Sequence, residues 1–151
     1  MEFEQAVLDS AGVVREWRNG HEVQRGTLFL APEGLIYTDG SAKHVGTRWA
    51  AGASAVVQYD HNGEKAWAMS LPQGCPVSAV AAEHMAMLLC MVLVREAQQR
   101  QVQETGSTWE DTLAQWGGKV QVHADCMAVV HAARHPGNTL RDQFKYVAAQ
   151  A

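Results

Sequence analysis

The stretch from Ala79 to Gln99 does most to constrain the fold of this chain. It holds no glycine or proline and is rich in helix formers. Val80/Ala81, Met85, Leu88/Leu89 and Val92 follow the helical period. Met87, Cys90, Met91 and Val94 carry the apolar surface beyond one stripe. A helix that is apolar on several sides must be covered on several sides. The spacing therefore predicts a long helix, capped by Ser78, lying between a sheet and another helix. The same region, Val77 to Val94, carries Glu83 and His84. A membrane span needs about 20 predominantly apolar residues with few charges, so a buried helix of a soluble domain is expected, with no membrane contact.

The strands that cover this helix are legible on both sides of it. Leu35 to Thr38 reads as a first strand, Ala42 to Thr47 as a small, polar connection, and Trp49 to Tyr59 as a second strand. Asp60-His61-Asn62-Gly63 is a hairpin turn, and Lys65 to Leu71 pairs back as a third strand. Upstream, residues 1–33 form a weakly marked lead-in. Glu4 to Leu8 suggests a helical turn, and Asn19-Gly20 suggests a hairpin between Val13-Val14 and Val23. Pro32-Glu33-Gly34 opens the main domain, residues 34–151.

After the helix, the polar stretch 98–118 reads as an insertion. Within it Thr108 to Trp116 suggests a short helix, with Trp109 and Trp116 anchoring it to the body. Lys119 to Ala124 is a fourth strand, and Met127 to Ala133 and residues 138–151 suggest two further helices. The whole predicts an α/β domain with a mixed sheet. Strands one to three are antiparallel, and the crossover helix sets the fourth strand parallel beside the first.

Length and charge narrow the function. A chain of 151 residues suits one domain with a sizeable core. A net charge of -4 argues against strong nonspecific nucleic-acid binding, though not against a local basic patch. Cys75, Cys90 and Cys126 are odd in number and far apart. They predict neither a disulfide framework nor a zinc knuckle, and so an intracellular, reducing setting. The acidic start, Met-Glu-Phe-Glu, shows no signal peptide.

Three carboxylates sit inside apolar elements. Asp39 stands in Tyr37-Thr38-Asp39-Gly40-Ser41, at the expected end of the first strand, where glycine turns the chain. Glu83 lies one turn into the long helix, and Asp125 ends the fourth strand. Taken singly, Asp39 reads as a turn residue, Glu83 as an acid complementing the helix dipole, and Asp125 as a helix cap. Taken together they read differently, because the topology brings all three toward one point. Carboxylates gathered closely repel unless a cation compensates. Mg²⁺ or Mn²⁺ favours such oxygen ligands. Two such ions about 3.5–4 Å apart can activate water and stabilise a leaving oxygen in phosphodiester hydrolysis.

These residues also carry a family resemblance. Ile36-Tyr37-Thr38-Asp39-Gly40-Ser41-Ala42 resembles the first-strand motif of the ribonuclease H family. Residues 52–57 resemble its glycine-led second strand, and Ala82-Glu83-His84-Met85-Ala86 its Ala-Glu-x-x-Ala helix motif. Val120 to Val130 resembles its strand-Asp-Ser-x-x-Val-Val motif, with Cys126 in place of Ser. The resemblance spans roughly Leu35 to Val147. It implies a ribonuclease H-like fold of the retroelement type and cleavage of the RNA strand of an RNA–DNA hybrid with Mg²⁺ or Mn²⁺. By the same resemblance Asp39, Glu83 and Asp125 are the metal-binding and catalytic acids. Gly40, Ser41, Ala42 and Lys43 are candidate nucleic-acid contacts. The family's fifth strand, His-bearing loop and last helix with its fourth carboxylate are not found before Ala151. The expectation is a C-terminally incomplete domain, and Asp142 is not assigned the fourth role.

Other features give weaker signals. Arg134, His135, Arg141 and Lys145 form a basic stretch that suits either a nucleic-acid backbone or a solvated helix face; Arg134 and Lys145 are kept as candidate contacts. His131 and His135 lack the glutamate of a zinc-protease helix and read as surface residues. His84 and His123 flank the acids and read as structural. Ser54, Ser70 and Ser78 stand in no nucleophile motif. Two alternatives to the nuclease stay open: a noncatalytic module of the same fold that binds nucleic acid or protein, and an integrase- or recombinase-type domain. Partners besides the hybrid are a second copy, paired through a sheet edge, or the remainder of a longer polyprotein.

Overall fold

Eight elements build the structure, a computed structural model that describes residues 14–71, 76–117 and 119–124. In chain order they are β1 (Arg15–Arg18), β2 (His21–Val23), β3 (Leu35–Lys43), β4 (Ala51–Asp60), β5 (Gly63–Ser70), α1 (Ala79–Thr105), α2 (Trp109–Trp116) and β6 (Gln121–Ala124). The strands form one mixed sheet in the order β2-β1-β5-β4-β3-β6. β6 runs parallel to β3, with Thr38 opposite Ala124. The other neighbours are antiparallel. The expected α/β class, the antiparallel meander β3–β5 and the parallel fourth strand are all present. The helices expected at 4–8, 127–133 and 138–151 lie outside the described residues.

Strand alternation divides the sheet into two faces. Ile36 and Thr38 of β3, Ser54, Val56 and Gln58 of β4, and Lys65, Trp67 and Met69 of β5 are buried. α1 lies on this face with Met85, Leu88, Leu89 and Val92 buried. Ser78 caps it, its hydroxyl accepting from Ala81 N at 3.0 Å. The helix runs past Gln99 to Thr105 and stops at Gly106, whose N–H bonds the Val102 carbonyl at 3.1 Å. The segment expected as an insertion thus begins as two further turns of helix, because Gly106 is the first residue that breaks the pattern. α2 folds back on those turns. Trp116 is buried and its indole N–H donates to Gln101 Oε1 at 3.1 Å, while Arg95 stacks over Trp109. Among the described residues no helix is long and apolar enough to cross a membrane.

Residues 14–33, expected as part of a lead-in, contribute a hairpin and a strap to the same sheet. Asn19 and Gly20 take φ of 52° and 80°, as a type I′ turn requires, and β1 pairs with β5. The 24–34 segment then crosses the helix-facing side of the sheet and puts Leu30 into the core. Such a crossing needs partners for its backbone, and three buried side chains from three strands supply them. Glu16 of β1 accepts from Gly26 N at 2.6 Å and Leu28 N at 2.7 Å. Gln58 of β4 bonds both the N–H and the carbonyl of Ala31, at 2.8 and 3.0 Å. Lys65 of β5 donates to the Phe29 carbonyl at 2.9 Å. Arg25 ties the strap to α1 through a forked pair with Glu96 at 2.6 and 2.9 Å.

Two outcomes are expected. Glu16→Ala strands the Gly26 and Leu28 N–H groups and lowers stability by about 2–3 kcal/mol in urea unfolding. Asp60 accepts from Arg18 at 3.0 Å, and that hydrogen bond holds its carboxyl below the usual range. A depressed carboxylate stabilises the fold above its unfolded pKa, about 3.9, and loses that contribution as pH falls through the folded value. Urea titrations at descending pH should therefore show a shallower acid loss for Asp60→Asn than for the parent chain.

Candidate functional site

Gly40 is where the sheet and the helix meet most closely. A β-carbon there would overlap the Ala82 carbonyl and the Glu83 N of α1. Ser54, on the neighbouring strand opposite Gly40, donates to the Ala82 carbonyl at 2.7 Å. Small residues on β3 and β4 thus let the start of α1 settle onto backbone. β3 does not turn at Gly40, as its sequence suggests, but continues to Lys43. The glycine is needed for the approach of α1, and the turn comes later, at residues 44–50.

That approach positions Glu83. Its Oε1 accepts from Gly40 N at 3.0 Å. Glu83 lies beyond the first turn of α1, which holds no acid, and its carboxylate bonds the strand. Asp39, which shares a peptide bond with that same Gly40 N, is exposed and lies inside β3, not in a turn. The structure therefore brings Glu83 to the residue next to Asp39. Asp125 lies outside the described residues; it follows Ala124, which pairs with Thr38. Among the described residues no group of three or more His, Cys, Asp or Glu gathers at one point.

The other expected residues fall as follows. Ser41 and Lys43 are exposed and Ala42 is half-buried, all on the last part of β3 beyond Asp39. Arg134, Lys145, His131, His135 and Arg141 lie outside the described residues. His84, on α1, is buried. His123 meets Tyr37 edge-to-face at 5.8 Å on the sheet face opposite α1, and Tyr37 meets Tyr59 at 6.3 Å. Cys90 is buried, and burial pushes its thiol up to about 12, so it stays a neutral core residue.

Nucleophile motifs say nothing about Ser54, and its part in seating α1 emerges only from the packing. The run Gly52-Ala53-Ser54-Ala55 holds the signal, since a strand of small residues facing a helix permits a close crossing. The chain matches no protein-family model, no curated protein and no solved structure.

Gly40→Ala is expected to displace the start of α1 and cost about 1–3 kcal/mol, the scale of overpacking. Ser54→Ala removes one hydrogen bond and leaves the crossing intact, at about 1 kcal/mol. Urea unfolding of the two variants, with the order Gly40→Ala below Ser54→Ala, checks the assignment.

Proposed function

We propose that this chain is a ribonuclease H-like, divalent-metal-dependent nuclease that hydrolyses the RNA strand of RNA–DNA hybrids. The observation that carries the reading is the 3.0 Å hydrogen bond from Gly40 N to Glu83 Oε1. It holds one carboxylate against the backbone that bears another, Asp39. The sheet supports the same reading. β5, β4, β3 and β6 stand in the order expected from the resemblance, with β6 parallel to β3. Asp125, the next residue in sequence after Ala124, is the proposed third acid.

Asp39, Glu83 and Asp125 are oxygen donors only, which fits a hard cation such as Mg²⁺ or Mn²⁺. When bound, such an ion neutralises charge on the phosphodiester and lowers the pKa of water. The chain's own residues orient the rest. Gly40 fixes Glu83 through its N–H, and the end of β3, from Gly40 to Lys43, lies along the path of the substrate strand. Lys43 offers a phosphate contact. The hybrid is read by its 2′-hydroxyls and backbone rather than by sequence. Arg134 and Lys145 are further proposed contacts.

The test is cleavage of a labelled hybrid with Mg²⁺. The parent chain should cut the RNA strand and Asp39→Asn should not. Equal cutting by both overturns the site, and no cutting by either favours a noncatalytic module. Glu83→Gln separates structure from chemistry, since its amide oxygen can still accept from Gly40 N. That variant should keep its stability in metal-free buffer. It should lose the rise in unfolding free energy that Mg²⁺ gives the parent, about 2.7 kcal/mol at a hundred times Kd.

A further inference from the structure

The end of β3 and the loop joining it to β4 carry a basic and aromatic surface, of which the nuclease reading uses only Lys43. Between Asp39 and Asp60 no acidic residue occurs, while Lys43, His44 and Arg48 fall within six positions. All three are exposed. Trp49 is 68% exposed, far more than any buried role allows. The Arg48 guanidinium stacks 4.8 Å from its ring centroid, and the indole stays largely exposed beside it.

This loop has a built shape. His44 takes a φ of 55°. Thr47 closes the first turn with its N–H and its hydroxyl, both donating to the His44 carbonyl at 3.1 and 2.7 Å. The same hydroxyl accepts from Trp49 N at 3.2 Å, and Ala50 N donates to the Thr47 carbonyl at 3.1 Å. The main chain at Trp49 is therefore fixed by hydrogen bonds at its own N–H and at Thr47 and Ala50. A loop whose main chain is already ordered loses less entropy when a ligand binds.

We infer that Trp49, backed by Arg48, is a stacking platform for an unpaired nucleotide flanking the hybrid, with Lys43, His44 and Arg48 facing its phosphates. The inference rests on the nuclease reading for its ligand. Bases inside a continuous duplex are already stacked on one another, so an open indole face gains most from a nucleotide that is not paired. Sequence-tolerant stacking of this kind is general in single-strand binding, because every base has a π face. The Lys43 and Arg48 charges beside it supply the matching attraction for the backbone.

Binding of blunt hybrids and of hybrids with a short single-stranded extension, measured by anisotropy on the Asp39→Asn chain, tests the idea without cleavage. The extended hybrid should bind more tightly. Trp49→Ala should remove that advantage, an effect of about 5- to 150-fold, while Trp49→Phe should keep most of it. Lys43→Ala with Arg48→Ala should lower the salt slope by about 0.7–0.9 for each phosphate the chain no longer neutralises. Equal affinity for blunt and extended hybrids, or an advantage that survives Trp49→Ala, overturns the platform. Either result leaves the nuclease reading to be judged by cleavage of the blunt hybrid by the parent chain, and absence of that cleavage leaves the platform to be judged by binding.

Discussion

The close crossing of α1 over β3 and β4 is the contact on which the rest depends. Side chains ordinarily hold a helix away from the strands it covers, and here Gly40 removes that spacer at one point. The helix start then bonds directly to the strands, through Ser54 to the Ala82 carbonyl and through Glu83 to Gly40 N. Farther along, Met85, Leu88, Leu89 and Val92 join Ile36, Val56 and Trp67 in one core cluster. The packing that fills the core thus also sets the position of the Glu83 carboxylate. Stability and site geometry share one point of contact, and changes there affect both.

The other end of the helix face is closed by different means. There the strap of residues 24–34 lies beside α1, and its peptide groups are met by Glu16, Gln58 and Lys65. Burying polar side chains is costly unless each finds partners, and these do. Burial pulls the Lys65 ammonium below its usual range, yet its bond to the Phe29 carbonyl keeps the strap in place. One end of the sheet is therefore sealed by hydrogen-bonded polar groups. At the opposite end Asp39, Lys43 and the Thr47-braced loop are exposed.

Much of this is readable from residue patterns with a local cause. The Ser78 cap, the Asn19-Gly20 turn, the hairpin at His61-Asn62 and α2 each depend on a few neighbouring residues. The parallel placement of β6 follows from the handedness of crossovers. Sequence pattern ends the first strand at Thr38 and the long helix at Gln99, both too early. In each case a polar residue or a glycine looks like a stop, where packing allows the element to continue. The strap has no local mark at all. Glu16, Gln58 and Lys65 are far apart in sequence and reveal their purpose only when the sheet brings them together.

Residue order alone determined the α/β class, the antiparallel meander, the long helix and the choice of Asp39, Glu83 and Asp125 as the acids to watch. Those features rest on periodicity and on turn and cap chemistry, which act over a few residues. Tertiary structure alone decided that Gly40 is a point of contact and not a bend, that Glu83 bonds the strand, and that residues 24–34 seal the core. Each of these turns on which backbone lies against which, and that is settled only when distant elements pack.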